Sequence, residues 1–411
     1  MRPRCRSTSN LFNMDMNRIL ICTQTGCGTG FGRVAETIAD ALAEKYEVHV
    51  VGLGKSTQSR VWEQHDHSDF DPNRISAVCR VAGKLHCSAV ILIGQGQLQS
   101  WQVSALKSNA FAGAVIAYVP VEGKIYNVTP LVGLLQCDKV VAYTQTGAHE
   151  IHSAFQARPD LNNNNLDISV IPHKVERILI DQRMPRESLR TKLFPRLSDR
   201  NSGFWILNAN RNDERKRPEL SLLAFAQVAA LHPRATLILH CRSRRRTKNL
   251  RIEIAKLSLQ KQTFLTCDLA TDFFSDAKMS LLYSCCDIGI NSALGEGWGL
   301  VAFEHAQFQA AQILPAHAGL QEIWGSAPSW AAVAEGVPID EVFIGQAPII
   351  QAMATSIDEL LGDTLKLQQV GKACAAAAEI KVSDSTEIDL QWCRLIATLL
   401  SKRKGNLSTC R

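Results

Sequence analysis

Short aliphatic and β-branched runs recur along this chain, each separated by a segment with helical spacing. That alternation limits the fold more than any other feature. Arg18–Cys22, Glu47–Val51, Ala89–Ile93, Ala114–Val119, Lys139–Tyr143 and Asp167–Ile171 read as strands. Several are apolar without interruption, the pattern of parallel strands buried on both faces. Between the first two, Val34, Ile38, Ala41 and Leu42 mark an amphipathic helix over Arg33–Lys45. The rhythm breaks over residues 172–202, where Pro172, Pro185 and Pro195 fall among charged residues. It then restarts. Strands are expected at Phe204–Leu207, Ala235–His240, Thr263–Thr266 and Asp287–Ile290, with helices at Pro218–Leu231, Ser275–Ser284 and Leu300–Ala310. The fold class is therefore α/β, with two Rossmann-like doubly wound domains facing across a cleft. The boundaries follow: a tail at 1–16, a first domain at 17–172, a linker at 173–202, a second domain at 203–383, and a C-terminal helix and tail at 384–411.

With 411 residues, each domain is long enough to bury its own core. The 46% hydrophobic and 20% charged content excludes a disordered, collagen-like or coiled-coil chain. No run approaches the length of an apolar membrane span, and no apolar segment follows the basic start at Arg2, Arg4 and Arg6. A cytoplasmic location is expected. The thirteen cysteines show no C-x-x-C pair and no Cys/His cluster with zinc spacing, so reduced, mostly buried thiols are expected.

The formal charge of +6 is uneven. Residues 201–260 hold twelve Lys or Arg and only four acids. Such a window suits a phosphate-bearing small molecule, a nucleic acid or a membrane surface.

Three motifs carry chemistry. The first is Gly26-Cys27-Gly28-Thr29-Gly30-Phe31-Gly32-Arg33, after the first strand and at the start of the first helix. It misses the dinucleotide fingerprint because Phe31 stands where glycine is needed, and it lacks the Gly-Lys-Ser/Thr of a phosphate-binding P-loop. Its position favours an anion-facing loop over an empty turn. The second is Asn208-Ala209-Asn210-Arg211-Asn212-Asp213-Glu214-Arg215-Lys216-Arg217-Pro218. Arg211 and Lys216 sit where a strand end meets a helix start and suit a diphosphate. Arg215 and Arg217 are read as solvated charges. The third is Gly295-Glu296-Gly297-Trp298-Gly299-Leu300-Val301-Ala302-Phe303-Glu304-His305-Ala306. Its two glutamates flank a glycine-rich turn into a helix, and both can look into one cleft. His305 and His317 are read as structural.

Together these motifs resemble the retaining glycosyltransferases of the GT-B fold, family four, whose E-x7-E element corresponds here to Glu296 and Glu304. Val170-Ile171-Pro172-His173-Lys174-Val175 is similar to the family's V-I-P-x-G-V stretch, with Lys174 in place of glycine. The resemblance implies transfer of a hexose from a nucleotide-diphosphate sugar, with retention and without a metal or other cofactor. Arg211 and Lys216 would hold the diphosphate, aided by the backbone amides of Leu300 and Val301. Glu296 would contact the donor sugar and Glu304 the ribose hydroxyls. Gly28 and Gly30 would let the first loop approach the donor, and Gly297, Trp298 and Gly299 would shape the turn around it. The family's histidine after an N-domain strand is missing from Ala117-Tyr118-Val119-Pro120-Val121-Glu122-Gly123, and Glu122 is the nearest polar candidate.

The alternative is a non-catalytic GT-B binding subunit that binds nucleotide sugar or a glycan partner. The acceptor stays open among glycan, lipid-linked and protein hydroxyls, as does a peripheral membrane contact. The basic run Arg242–Lys248 has little aromatic interleaving, so nucleic acid is not expected as a partner.

Overall fold

The structure is a computed structural model. It describes residues 16–408 except 25, 27, 54–59, 66–70, 72, 162–165, 179–184, 242–244, 270–273 and 335. The tail at 1–15 and the side chains of the Arg242–Lys248 run lie outside the described residues.

The first half alternates as expected. Its elements are β1 (Arg18–Thr23), α1 (Gly30–Leu42), β2 (Glu47–Val51), β3 (Glu63–His65), α2 (Ile75–Lys84), β4 (Ala89–Ile93), α3 (Gly96–Ser108), β5 (Ala114–Val119), β6 (Lys124–Ile125), β7 (Lys139–Ala142), α4 (Gln145–Gln156) and β8 (Ile168–Val170). Seven strands form one parallel sheet in the order β3-β2-β1-β4-β5-β7-β8. Strands β4 and β5 are buried at every residue, which is why their sequences do not alternate. Helix α1 starts where Thr29 caps it, its hydroxyl accepting from Gly32 N at 3.1 Å.

The second half contains α5 (Arg186–Leu193), β9 (Trp205–Asn208), α6 (Pro218–Val228), β10 (Thr236–Leu239), α7 (Arg245–Lys256), β11 (Thr263–Leu265), α8 (Asp276–Cys285), β12 (Ile288–Ile290), α9 (Leu300–Ala306), β13 (Ala311–Pro315), α10 (Ala318–Trp324) and β14 (Ser329–Ala331). Six of its strands form a parallel sheet, β11-β10-β9-β12-β13-β14. The chain ends in β15 (Val337–Pro338), β16 (Phe343–Gly345), α11 (Ile350–Gly362), α12 (Thr364–Ser383) and α13 (Ser385–Ser408). Strand β16 pairs antiparallel with β6 of the first half, so a small sheet is shared by both halves.

In each sheet the chain builds outward from the middle twice. The strand order therefore reverses between β1 and β4, and again between β9 and β12. Loops leaving the C-terminal ends of such neighbours diverge and open a crevice. The glycine loop follows β1, and the loops 209–217 and 291–299 follow β9 and β12.

The structure departs from the sequence expectations in three places. Residues 186–200 are helical rather than a bare linker, and Leu189 and Phe194 join the second half's core beside Trp205. Helix α9 stops at Ala306, not 310; Gln309 turns to φ 58° and releases β13. Helix α13 crosses back to pack Trp392 and Ile396 among Val34, Ile38 and other core residues of the first half. No disulfide joins the described cysteines. No helix among the described residues is long and apolar enough to cross a membrane.

Helix α5 is pinned by one carboxylate. Asp287 accepts from Arg190 Nη2 at 2.6 Å and from Trp205 N at 2.7 Å, and pairs with Arg186. Arg190 also donates to the carbonyl oxygens of Cys285, Asn201 and Gly203 and covers the Trp205 ring, yet its side chain is only 3% exposed. Removing the partner of a buried charge costs about 3–5 kcal/mol. Asp287→Ala should lower unfolding free energy by about that amount in urea titration. Asp160→Ala, which breaks an exposed pair with Arg158, should leave the midpoint unchanged.

Candidate functional site

The two crevices face each other across a cavity of about 620 Å³. Phe31 lines it from the first turn of α1, Gln95 from the loop after β4, Glu122 from the turn after β5, and Arg211 and Arg215 from the loop after β9. Gly28 lies in the turn before α1 and Gly30 is the first residue of that helix.

The loop after β9 is held by polar contacts. Asn208 Nδ2 donates to Ser221 Oγ at 2.9 Å and to Ser292 Oγ at 3.0 Å, while Asn208 Oδ1 accepts from Asn210 N at 3.0 Å. Asp213 accepts from Lys216 N at 2.9 Å, and Lys216 O accepts from Ser292 Oγ at 3.1 Å. Pro218 then opens α6 at a position that needs no N–H donor. The result fixes the buried Lys216 next to Arg215, which lines the cavity where Lys216 and Glu296 do not.

Four charged side chains meet there. Lys216 Nζ pairs with Glu296, Arg215 Nη2 reaches Glu122 at 3.0 Å, and Arg215 Nη1 lies 3.7 Å from Glu296. Burial opposes ionisation of Glu296, but Lys216 and Arg215 outweigh it and hold that carboxyl below its usual range. Burial pushes the Glu122 carboxyl up, beyond what Arg215 and Lys216 pull back. Burial likewise lowers Lys216, helped by the neighbouring Arg215 charge. Gly295 permits the approach of the two halves, since a Cβ there would overlap the Glu122 carbonyl oxygen. Gly299 turns the chain into α9 with φ 83°, where a side chain would be strained.

The structure redistributes the basic residues. Arg211 lines the cavity but is 69% exposed, and its one ion pair among the described residues is with its neighbour Asp213 at 3.4 Å. Arg215, read from sequence as a solvated charge, is 15% exposed and joins the two halves. No local pattern separates these two arginines; the signal is the partner, Glu122, from the other domain.

Glu304 lies in α9, with Tyr283 Oη donating to it at 2.7 Å and Arg33 pairing with its other oxygen. Arg33 comes from the glycine motif and also meets Asp276 at 2.9 Å. Burial disfavours the Arg33 charge, but Glu304, Tyr283 and Asp276 overcompensate. A carboxylate offers about four acceptor sites, so two remain on Glu304. Leu300 and Val301 begin the same helix, and Trp298 is buried with Phe303 and His173 against it.

Three buried polar atoms around loop 291–299 lack a hydrogen-bond partner among the described residues: Trp298 Nε1, Tyr143 Oη and His317 Nδ1. Each such atom costs about 1–3 kcal/mol, which suits a site that receives a polar ligand. His317 was read as structural. Its Nε2 lies 2.9 Å from Gln346 O, and it feels the charges of Glu296, Lys216 and Arg215. His305, 3.3 Å from Cys286 O and stacked on Tyr283, stays in the core. Lys174 meets Asp389 of α13 at 2.7 Å, which accounts for a lysine at that position.

No family model matches the chain, and neither does any curated protein. Solved structures do. Anabaena HepE in complex with UDP and glucose is 16% identical, covering 93% of this chain and 100% of its own, with a TM-score of 0.68. Sucrose-phosphate synthase from Thermosynechococcus elongatus is 16% identical, covering 94% and 100%, with a TM-score of 0.71. An α,α-trehalose-phosphate synthase (UDP-forming) from Burkholderia vietnamiensis is 11% identical, covering 93% and 100%, with a TM-score of 0.69. The fold is GT-B: two doubly wound domains facing across a cleft.

The cluster predicts unequal costs for the two cavity arginines. Arg215→Ala leaves Glu122 without its closest cation and should cost about 3–5 kcal/mol in urea unfolding. Arg211→Ala should change stability by no more than about 0.5 kcal/mol.

Proposed function

We propose that this chain transfers a hexose from a nucleotide-diphosphate sugar to an acceptor hydroxyl, with retention, as a GT-B glycosyltransferase of the family-four type. The observation that carries the reading is the buried cluster of Arg215, Lys216 and Glu296 at the second sheet's strand-order reversal, met by Glu122 from the turn after β5. HepE, similar in fold, was solved with UDP and glucose, and the Burkholderia neighbour is a UDP-forming synthase. A uridine-diphosphate hexose is the first donor to test.

In this reading Lys216 and the exposed Arg211 take the diphosphate. Their fixed charge offsets the negative charge that develops on the leaving group, so no metal is needed for that role. Lys216 exchanges part of its contact with Glu296 for a phosphate oxygen. Glu296 is then free to accept from a sugar hydroxyl. Glu304, oriented by Tyr283 and Arg33, uses its two remaining acceptor sites for the ribose diol. Glu122 stands on the acceptor side, where its raised pKa suits exchange of a proton with an incoming hydroxyl. The glycine loop and Phe31 close the cleft over the donor, excluding water that would hydrolyse it. Acceptors of glycan, lipid-linked and protein type all carry the required hydroxyl.

The second reading, a binding subunit without turnover, draws on the mutual pairing of the cleft charges. Arg33 occupies one side of Glu304, and Lys216 pairs with Glu296.

Turnover of a nucleotide-sugar panel, with and without acceptor mixtures, separates the two. Lys216→Ala should reduce kcat by about 10²–10³-fold, the cost of removing one preorganised partner of developing charge. Glu304→Ala should chiefly raise KM for the donor. The anomeric configuration of the product, read by NMR, should match that of the donor. Unchanged turnover in both variants would sink the site assignment. Nucleotide binding with no turnover on any acceptor would favour the binding subunit.

A further inference from the structure

We infer that His49, Glu63 and His65 form a binding site for one divalent transition-metal ion of the zinc class, at the open edge of the first sheet. The inference does not rest on the proposed transfer reaction. The site lies on β2 and β3, three and four strands away from β5, which leads to Glu122.

The backbone brings the three together. Strands β2 and β3 are parallel, with His49 opposite Glu63 and Val51 opposite His65. Residues two apart share a face, so His49, Glu63 and His65 project from the same side of the sheet. His49 Nδ1 lies 3.0 Å from His65 Nε2 and 3.4 Å from Glu63 Oε2. His65 Nε2 lies 3.9 Å from Glu63 Oε1. Two ligands of a tetrahedral ion with Zn–N bonds of about 2.0–2.1 Å stand about 3.3–3.4 Å apart. The observed spacings bracket that edge length.

The protonation pattern also fits. His49 Nε2 is 3.1 Å from Glu47 Oε1. A carboxylate only accepts, so this nitrogen carries the ring proton and Nδ1 presents its lone pair to His65 and Glu63. A carboxylate on the far nitrogen of a ligating histidine is the usual outer support of a metal site. Glu47 is itself held by Arg18 Nε at 3.0 Å. Glu63 brings one negative charge to the ion, while the Glu47 carboxylate is shared between Arg18 and the His49 ring. His49 is 1% exposed and Glu63 65%, so the ion would enter from the Glu63 side and take water as its fourth ligand. Two imidazoles and one carboxylate suit zinc over magnesium or calcium, which prefer all-oxygen sets. Bound there, the ion would fasten the three-residue edge strand β3 to β2.

The sequence alone does not show this site. Its ligands are spread over two strands and carry no zinc-motif spacing.

The test uses the full-length chain, stripped with EDTA and reloaded with zinc or cobalt. The wild type should retain one zinc per chain after dialysis, and zinc should raise its thermal midpoint. The cobalt form should show the visible band of a tetrahedral nitrogen and oxygen site, without a thiolate charge-transfer band. His65→Gln and Glu63→Gln should each lose the retained zinc, the midpoint shift and the cobalt band. A double variant of the exposed pair, His149→Asn with His152→Asn, should keep all three. Zinc retained undiminished in His65→Gln, no zinc retained by the wild type, or a cobalt spectrum with thiolate character would each overturn the proposal.

Discussion

The contact on which the molecule turns is a buried ionic quartet. Arg215 and Lys216 come from one half, Glu296 from the same half, and Glu122 from the other. Removing such ions from water costs several kcal/mol each, and only mutual pairing returns it. The quartet is neutral as a set, so the halves are held at the separation that satisfies it.

Around the quartet, further contacts clasp the halves. Glu322 of α10 accepts from the backbone amides of Gln145 and Thr146 at the start of α4, a helix N-terminus that favours negative charge. Arg33 bridges to Glu304 and Asp276, and β6 completes a sheet with β16. Helix α13, from the end of the chain, is built into the first half's core, with Arg403 meeting Asp138 at 2.6 Å. The two halves are therefore interlocked, by these polar contacts and by an apolar cluster that runs from Val34 and Tyr143 of the first half to Trp298 and Phe303 of the second.

Much of this was legible in order but not in partnership. The buried parallel strands announced themselves because both faces are covered and their sequences need no polar alternation. Helix α1 was legible from its apolar spacing, whereas its start at the Thr29 cap, a turn earlier than expected, was not. Helices α11 and α12 and strands β13 and β14 were not, because their burial depends on packing against distant elements. Residues 186–200 looked like a linker because of their charge; Asp287, about a hundred positions on, is what makes Arg190 a core residue. The motif around Glu296 and Glu304 was clear, whereas the exchange of roles between Arg211 and Arg215 was not.

The sequence by itself determined the α/β class, the two doubly wound units and the loops that meet at the cleft. These follow from local periodicity and from glycine, proline and capping chemistry, which act over a few residues. Only the tertiary structure decided which charges are buried, and with whom. Burial and pairing are properties of the assembled neighbourhood: Arg215 is a core residue because Glu122 faces it across the cleft, and Glu304 is oriented because Arg33 and Tyr283 arrive from elsewhere. His49, Glu63 and His65 became neighbours only when β2 and β3 paired in register.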